Sequence, residues 1–286
     1  MFLVATAWKQ DRGDGTVMVA TEVLVPGSAG LEITVVTVVL LAVAGFAAGW
    51  VDAVVGGGGL IQLPALLLVP GISPVQALAT NKVGSIMGTT VSATTYYRAV
   101  HPDMRTALPM ALTALIAAIG GARTAVLLPA DALKPIVVVV LIGVAVYTMI
   151  RPQLGAYDNL RWSGHRHTVT AMLWGMVIGF YDGILGPGTG SFLVIALVAG
   201  LGYSFLPATA ITKIVNLATN AGALMLFIPT GAVVWTLGLV IGVTNICGAY
   251  VGARMAVARG SRFVRIAFLC VVGALILTLG WDVLTE

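Results

Sequence analysis

The sequence predicts an all-α polytopic membrane protein made of two inverted five-segment repeats with glycine-broken or re-entrant helices. Three observations predict it: scarcity of charge, a series of apolar segments, and a self-match between the two halves of the chain. Of 286 residues, 59% are hydrophobic and only 9% charged. A soluble domain carries about 25% charged residues. So few charges cannot wet a water-facing surface, so most of the surface must face lipid.

Taken in order, residues 1–32 read as an extramembrane tail. Lys9, Asp11, Arg12, Asp14 and Glu22 fall there. Its basic residues follow the short apolar stretch 2–8, the wrong order for a signal peptide; a start codon placed too early is the other reading. Ten apolar segments follow, near 33–51, 58–70, 75–98, 106–128, 134–150, 168–185, 190–200, 208–228, 232–256 and 264–282. A spanning helix needs about 20 mostly apolar residues. The second and seventh segments fall short of that, and each follows a glycine-rich break, so they read as half-helices or re-entrant segments. Residues 33–150 make the first repeat, 151–167 a cytoplasmic linker and 168–286 the second repeat.

The connections set the orientation. Arg98 and Arg105 flank one, Arg151, Arg161 and Arg166 lie in the linker, and Arg259, Arg262 and Arg265 in the last. Positive charge marks these as cytoplasmic. Connections near 70–73, 129–134 and 229–231 are charge-poor and fall outside. The net charge of +4 reflects these loops. No basic patch with interleaved aromatics points to nucleic acid. Cys247 and Cys270 lie in apolar runs and are expected in buried packing. His101, His165 and His167 are expected in solvated loops.

The halves match at an offset of about 130 residues. GWVDAVVGGGG at 49–59 matches GFYDGILGPGT at 179–189. With one residue of slip, Lys82 pairs with Lys213 and Gly121-Ala122-Arg123 with Gly252-Ala253-Arg254. Five segments per half, an odd number, turn the second copy upside down. Two inverted copies can exchange roles across a membrane, a common build for secondary transporters.

Few ionisable residues fall inside apolar stretches: Asp52, Lys82, Arg123, Asp182, Lys213 and Arg254. They form three repeat-related pairs. A charge at the bilayer centre costs about 2.5–3.5 kcal/mol on insertion scales, so it normally faces the interior and has a function. Arg123 and Arg254 lie near segment ends, where snorkelling accounts for them. Asp52 and Asp182 precede the glycine breaks and either cap freed backbone N–H groups or carry a coupling proton. Lys82 and Lys213 are the candidates for substrate contact.

The breaks at Gly56-Gly57-Gly58-Gly59 and Gly186-Pro187-Gly188-Thr189-Gly190 free backbone N–H groups at the start of a helix, an end that suits an anion, with Gly57, Gly58, Gly59, Gly188, Thr189 and Gly190 as the candidate contacts. Thr80, Asn81 and Ser85 surround Lys82, and Thr209, Thr212 and Asn216 surround Lys213. Ser85 and Asn216 lie one turn from their lysine on roughly the same face. These residues together describe a site for a small anionic substrate. No cofactor, metal or catalytic residue is expected. The glycine run lacks the Gly-Lys-Ser/Thr of a nucleotide loop. Asp52 and Asp182 as an aspartyl pair would leave the lysines unexplained, so an intramembrane enzyme ranks below an anion-selective channel, and both below a carrier. A homodimer is compatible with the sequence.

GWVDAVVGGGGLIQLPALLL at 49–68, ALATNKVGS at 77–85, GAR at 121–123 and GAYVGARMA at 248–256 resemble the sulfite exporter TauE/SafE family, also called the toluene sulfonate uptake permease family. The resemblance covers about residues 33–283. It implies a carrier in the bacterial inner membrane for sulfite, sulfoacetate or related sulfonates. The family pattern carries over at Asp52, Gly56, Gly58, Gly59, Pro64, Thr80, Asn81 and Lys82, and at Asp182, Gly186, Gly188, Gly190 and Lys213. The second half departs at Ile211-Thr212, where the first reads Thr80-Asn81, which implies unequal half-sites.

Overall fold

The computed structural model describes residues 34–127 and 158–285. The tail, the apolar segment at 134–150 and the first part of the linker lie outside the described residues. Among the described residues every element is helical.

Helix α1 spans Val35–Val55. Thr34 caps it by accepting the N–H of Thr37 at 3.2 Å. It stops at Gly56, whose φ of 85° places it in the left-handed region while its N–H donates to Asp52 O at 2.8 Å. Glycine adopts that conformation without steric cost. Helix α2, Gly59–Leu67, is 9 residues long. Helix α3, Pro74–Val100, opens with a reciprocal cap between Ser73 and Gln76 and with proline at its first turn. Helix α4 is Met104–Leu127.

Helix α5, Gly164–Ile184, starts earlier than the apolar pattern predicts, because its first turn is built from the polar His165, Arg166 and His167. Helix α6, Thr189–Ile195, widens into a π-helical stretch at Ala196–Leu201. Helix α7 is Phe205–Phe227. The two segments expected at 232–256 and 264–282 are two helices that meet at Gly260, where φ of 72° and ψ of −172° are not helical; together they are called α8, Trp235–Thr285. Only that glycine interrupts helical backbone in a stretch that contains no proline.

Four described helices are long and apolar enough to cross a membrane: α1, α4, α7 and the Trp235–Phe268 part of α8. Helix α3 is longer than α1 but less apolar. It turns one polar face inward, so Thr80, Asn81, Lys82, Thr89 and Ser92 are all buried.

The halves pack crosswise. Helix α1 lies mainly on α8, and its repeat mate α5 lies mainly on α4. Glycines set how close these pairs come. A Cβ on Gly49 would lie 2.3 Å from Asn245 O, and one on Gly179 would lie 2.4 Å from Ala114 O. Likewise Gly121 meets Phe180 O and Gly252 meets Trp50 O.

The connections sort to two ends. At one, Tyr203 bonds Asp103, His167 meets Thr106, Asn159 N–H donates to Gly202 O and Leu206 N–H donates to Ser261 Oγ. This gathers the basic connections around Arg98–Arg105, Arg161–Arg166 and Arg259–Arg262. At the other, Leu41, Val69, Ala125, Phe227 and Val234 form one apolar cluster, which holds the charge-poor connections before α3 and α8.

Cys247 and Cys270 are both exposed, not buried. Cys247 sits on the outer face of α8 with exposed Val243, Tyr250 and Val251. In a chain whose outer wall is apolar, an apolar neighbourhood does not imply a core position.

Candidate functional site

The buried aspartates and lysines meet across the halves. Lys82 Nζ lies 2.6 Å from Asp182 Oδ2, with both side chains 2% exposed. Lys213 Nζ lies 3.1 Å from Asp52 Oδ2 and also donates to the Asp52 backbone carbonyl. Lys213 is fully buried, and the Asp52 side chain is 15% exposed. Each lysine is the ninth residue of its helix, about 12 Å from that helix's start at 1.5 Å per residue. Helix α3 starts at the charge-poor end and α7 at the basic end, so the two pairs approach the interior from opposite ends.

The two glycine breaks sit against each other. Ser191 N–H donates to Gly56 O at 3.1 Å, and Ser191 Oγ to Val55 O at 3.2 Å. A Cβ on Gly56 would fall 2.4 Å from the Gly190 carbonyl carbon. The breaks also admit the charged groups. A Cβ on Gly186 would lie 2.9 Å from Lys82 Nζ, and one on Gly58 would lie 2.6 Å from Asp52 Cβ. Gly57, Gly58, Gly188, Thr189 and Gly190 are buried and Gly59 is half-buried. Thr189 donates back to Gly186 O at 2.8 Å. Some N–H groups at these helix starts already have partners: those of Leu60 and Ile61 go to Gly57 O and Gly58 O.

The neighbours of the lysines divide by role. Thr80 accepts the N–H of Val234 at 3.0 Å and so ties α3 to the start of α8. Asn216 accepts from Thr219. Ser85 is half-buried, one turn beyond Lys82. Asn81 Oδ1 and Thr212 Oγ1 are buried without a hydrogen-bond partner among the described residues. These two precede Lys82 and Lys213 at matching repeat positions. A buried polar atom left unpaired costs about 1–3 kcal/mol, so such atoms mark places where a polar ligand would be welcome. Arg123 and Arg254 are exposed and lie outside this centre.

Sequence reasoning missed two polar groups. Gln62, fully buried on α2, donates to Asn81 O at 3.1 Å and accepts from Asn245 Nδ2 at 2.8 Å. The signal was a neutral amide inside each of two apolar runs. The second group is at the basic end. His101 and His165 are exposed, but His167 is buried, with Nε2 at 3.0 Å from Thr106 Oγ1 and 3.1 Å from Tyr203 Oη. Because α5 begins at Gly164, its first turn already carries His167 inward. Thr106 and Tyr203 both donate to Asp103 Oδ2. Burial alone would raise the Asp103 carboxyl, but hydrogen bonds from Thr106, Tyr203 and the Arg105 N–H outweigh it and hold it below the ordinary aspartate value. Burial, with the Asp103 charge beside it, pushes the Tyr203 hydroxyl up.

Against known proteins, residues 41–279 match the family described as sulfite exporter TauE/SafE. A probable membrane transporter protein, ORF9, of Sinorhizobium sp is 41% identical over 79% of this chain and 85% of its own length. The probable membrane transporter protein YfcA of Escherichia coli K12 is 37% identical over 76% of this chain and 80% of its own. A probable membrane transporter protein of Haemophilus influenzae is 31% identical, covering 82% and 91%. No solved structure matches the chain.

Proposed function

The chain belongs to the sulfite exporter TauE/SafE family of membrane transporters, and from that premise we propose a proton-coupled carrier of a small anion, sulfite or an organosulfonate, in the bacterial inner membrane. It works by alternating access between two inverted repeats, 33–150 and 168–286, joined by a cytoplasmic linker at 151–167. Opposite placement of repeat-related connections supports the inversion: the one before α3 lies at the charge-poor end and the one before α7 at the basic end.

The crossed ion pairs are the observation that carries this reading. In the closed arrangement each lysine is neutralised by the other half's aspartate. An anion entering alone would have to displace a carboxylate and leave it buried and unpaired, which costs about 3–5 kcal/mol. A proton arriving on Asp52 or Asp182 removes that cost. The neutral acid releases its lysine, the anion takes the ammonium, and the charge of the site is unchanged. Loss of the cross-half pair also loosens one half from the other. Asn81 and Thr212 supply the polar oxygens and donors beside each ammonium, Ser85 and Asn216 extend them by one turn, and the glycine-rich breaks bring backbone amides close.

Sulfite and sulfoacetate uptake into proteoliposomes under an imposed pH gradient tests this. Lys82→Ala and Lys213→Ala should each lower the rate at least about tenfold, the effect of losing one charge-assisted contact. Asp52→Asn or Asp182→Asn should leave residual flux that no longer responds to the gradient. Wild-type rates in both lysine variants would reject the site. Flux that rises without saturation would favour a channel.

A further inference from the structure

A second cationic feature lies away from the transport centre, on the outer wall. Helices α3 and α8 leave a groove of about 650 Å³ between them, lined by Val91, Thr94, Arg98, Tyr250, Arg254 and Val257 among others, with no acidic residue in the lining. Both arginines are exposed, and neither forms an ion pair with a carboxylate among the described residues. The Arg254 guanidinium is 4.6 Å from the Tyr250 ring centroid, a cation–π contact that holds the head against the groove wall. Thr90, Thr94 and Thr95 donate to backbone carbonyls of their own helix, so the guanidiniums are left as the charged donors.

The setting identifies the occupant. The face of α8 leading into the groove exposes Leu239, Val243 and Val251, the character of a lipid-facing wall. Arg98 lies in the last turn of α3, at the end where the basic connections gather. Two unpaired guanidiniums above an apolar cleft match a phosphodiester with acyl chains beneath it. We propose that this groove is a binding site for an anionic phospholipid, with the headgroup phosphate between Arg98 and Arg254 and an acyl chain running inward along Val91 and Val243. Arginine suits the role because its planar fork engages two phosphate oxygens at once. The repeat mate of this face is built differently: Arg123 stands opposite Arg254, but Pro229 takes the position of Arg98. The groove therefore has no repeat-related copy between α7 and α4.

Thermal unfolding of detergent-purified protein titrated with phosphatidylglycerol tests the site. Phosphatidylcholine and water-soluble glycerol phosphate serve as parallel probes. Phosphatidylglycerol should raise the Tm of the wild type, and neither other probe should match it. Arg98→Gln and Arg254→Gln should each weaken the lipid's apparent affinity about fivefold, the scale of one basic residue at an anionic membrane surface. Arg123→Gln should leave it unchanged and controls for loss of charge alone. Gel filtration and the lipid-free Tm establish that each variant folds. An equal response to glycerol phosphate would assign the groove to a soluble anion. An unchanged affinity in both groove variants, or a response abolished equally by Arg123→Gln, would overturn the proposal. So would cross-linking through a cysteine at Tyr250 showing that a second copy covers the face.

Discussion

Two lysines buried at 2% and 0% exposure persist only because a carboxylate stands beside each. Removing one partner leaves the other charged and dry, whereas replacing both with apolar groups of similar volume is often nearly neutral. Lys82→Met should therefore destabilise the protein by about 3–5 kcal/mol, and Lys82→Met with Asp182→Leu should recover most of that loss. Lys213→Met should cost less, because the Asp52 left behind is 15% exposed and partly solvated. Thermal unfolding in detergent reads the cycle, and a double variant no more stable than the single would remove the pair's assigned role. The sequence marked these residues as outliers, since a charge inside an apolar run is conspicuous. It did not reveal which aspartate meets which lysine, because the pairing crosses from one half to the other. Gln62 and Asn245 escaped notice for the opposite reason. A neutral amide in an apolar run carries no charge to stand out, and its partner lies far along the chain.

At the scale of elements, helices end where backbone chemistry makes them end, and Gly56 is the clearest case. Its φ of 85° is left-handed, and it also abuts the backbone of Gly190. Gly164 has a positive φ of 57°, but a Cβ added there would meet nothing within 4 Å. Alanine at Gly164 should cost only the left-handed penalty, about 1–2 kcal/mol. Alanine at Gly56 adds an overlap between two backbones that no rotamer change can relieve, so its Tm should fall clearly further and transport should fall with it. Equal losses at the two positions would mean that the breaks do not need to touch. Glycine runs flanked by apolar segments made these breaks readable, along with the shortness of α2 and α6. Packing decided what the pattern could not. The break inside α8 falls at Gly260, whose positive φ ends one helix before the next begins, and the early start of α5 arises because polar residues can form a first turn.

Across the whole molecule, the packing interchanges the halves: α1 on α8 mirrors α5 on α4, and Lys82–Asp182 mirrors Lys213–Asp52. The mirror is imperfect in burial, since Asp182 is sealed while Asp52 is partly exposed. Two copies held in unlike environments are what alternating access requires, because exchanging those environments moves the opening from one side to the other. The proposed exchange then makes the two half-sites reciprocal. Ser85 and Asn216 report it, being matched positions one turn beyond the two lysines on helices that enter from opposite ends. In a background with Cys247 and Cys270 replaced by alanine, single cysteines at Ser85 and Asn216 should be labelled by a membrane-impermeant thiol reagent applied from opposite sides. Adding sulfite with a proton gradient should shift the two labelling rates in opposite directions, provided each variant retains transport. Population-shift arithmetic bounds the effect. An anion that moves the balance from 1:99 to 99:1 must favour one state by about 5.5 kcal/mol, so a site with one new ion pair should give a smaller, partial shift. Rates that rise together would indicate an opening of the whole molecule, and rates that stay fixed would mean that the halves do not exchange, leaving the crossed ion pairs as structural clamps.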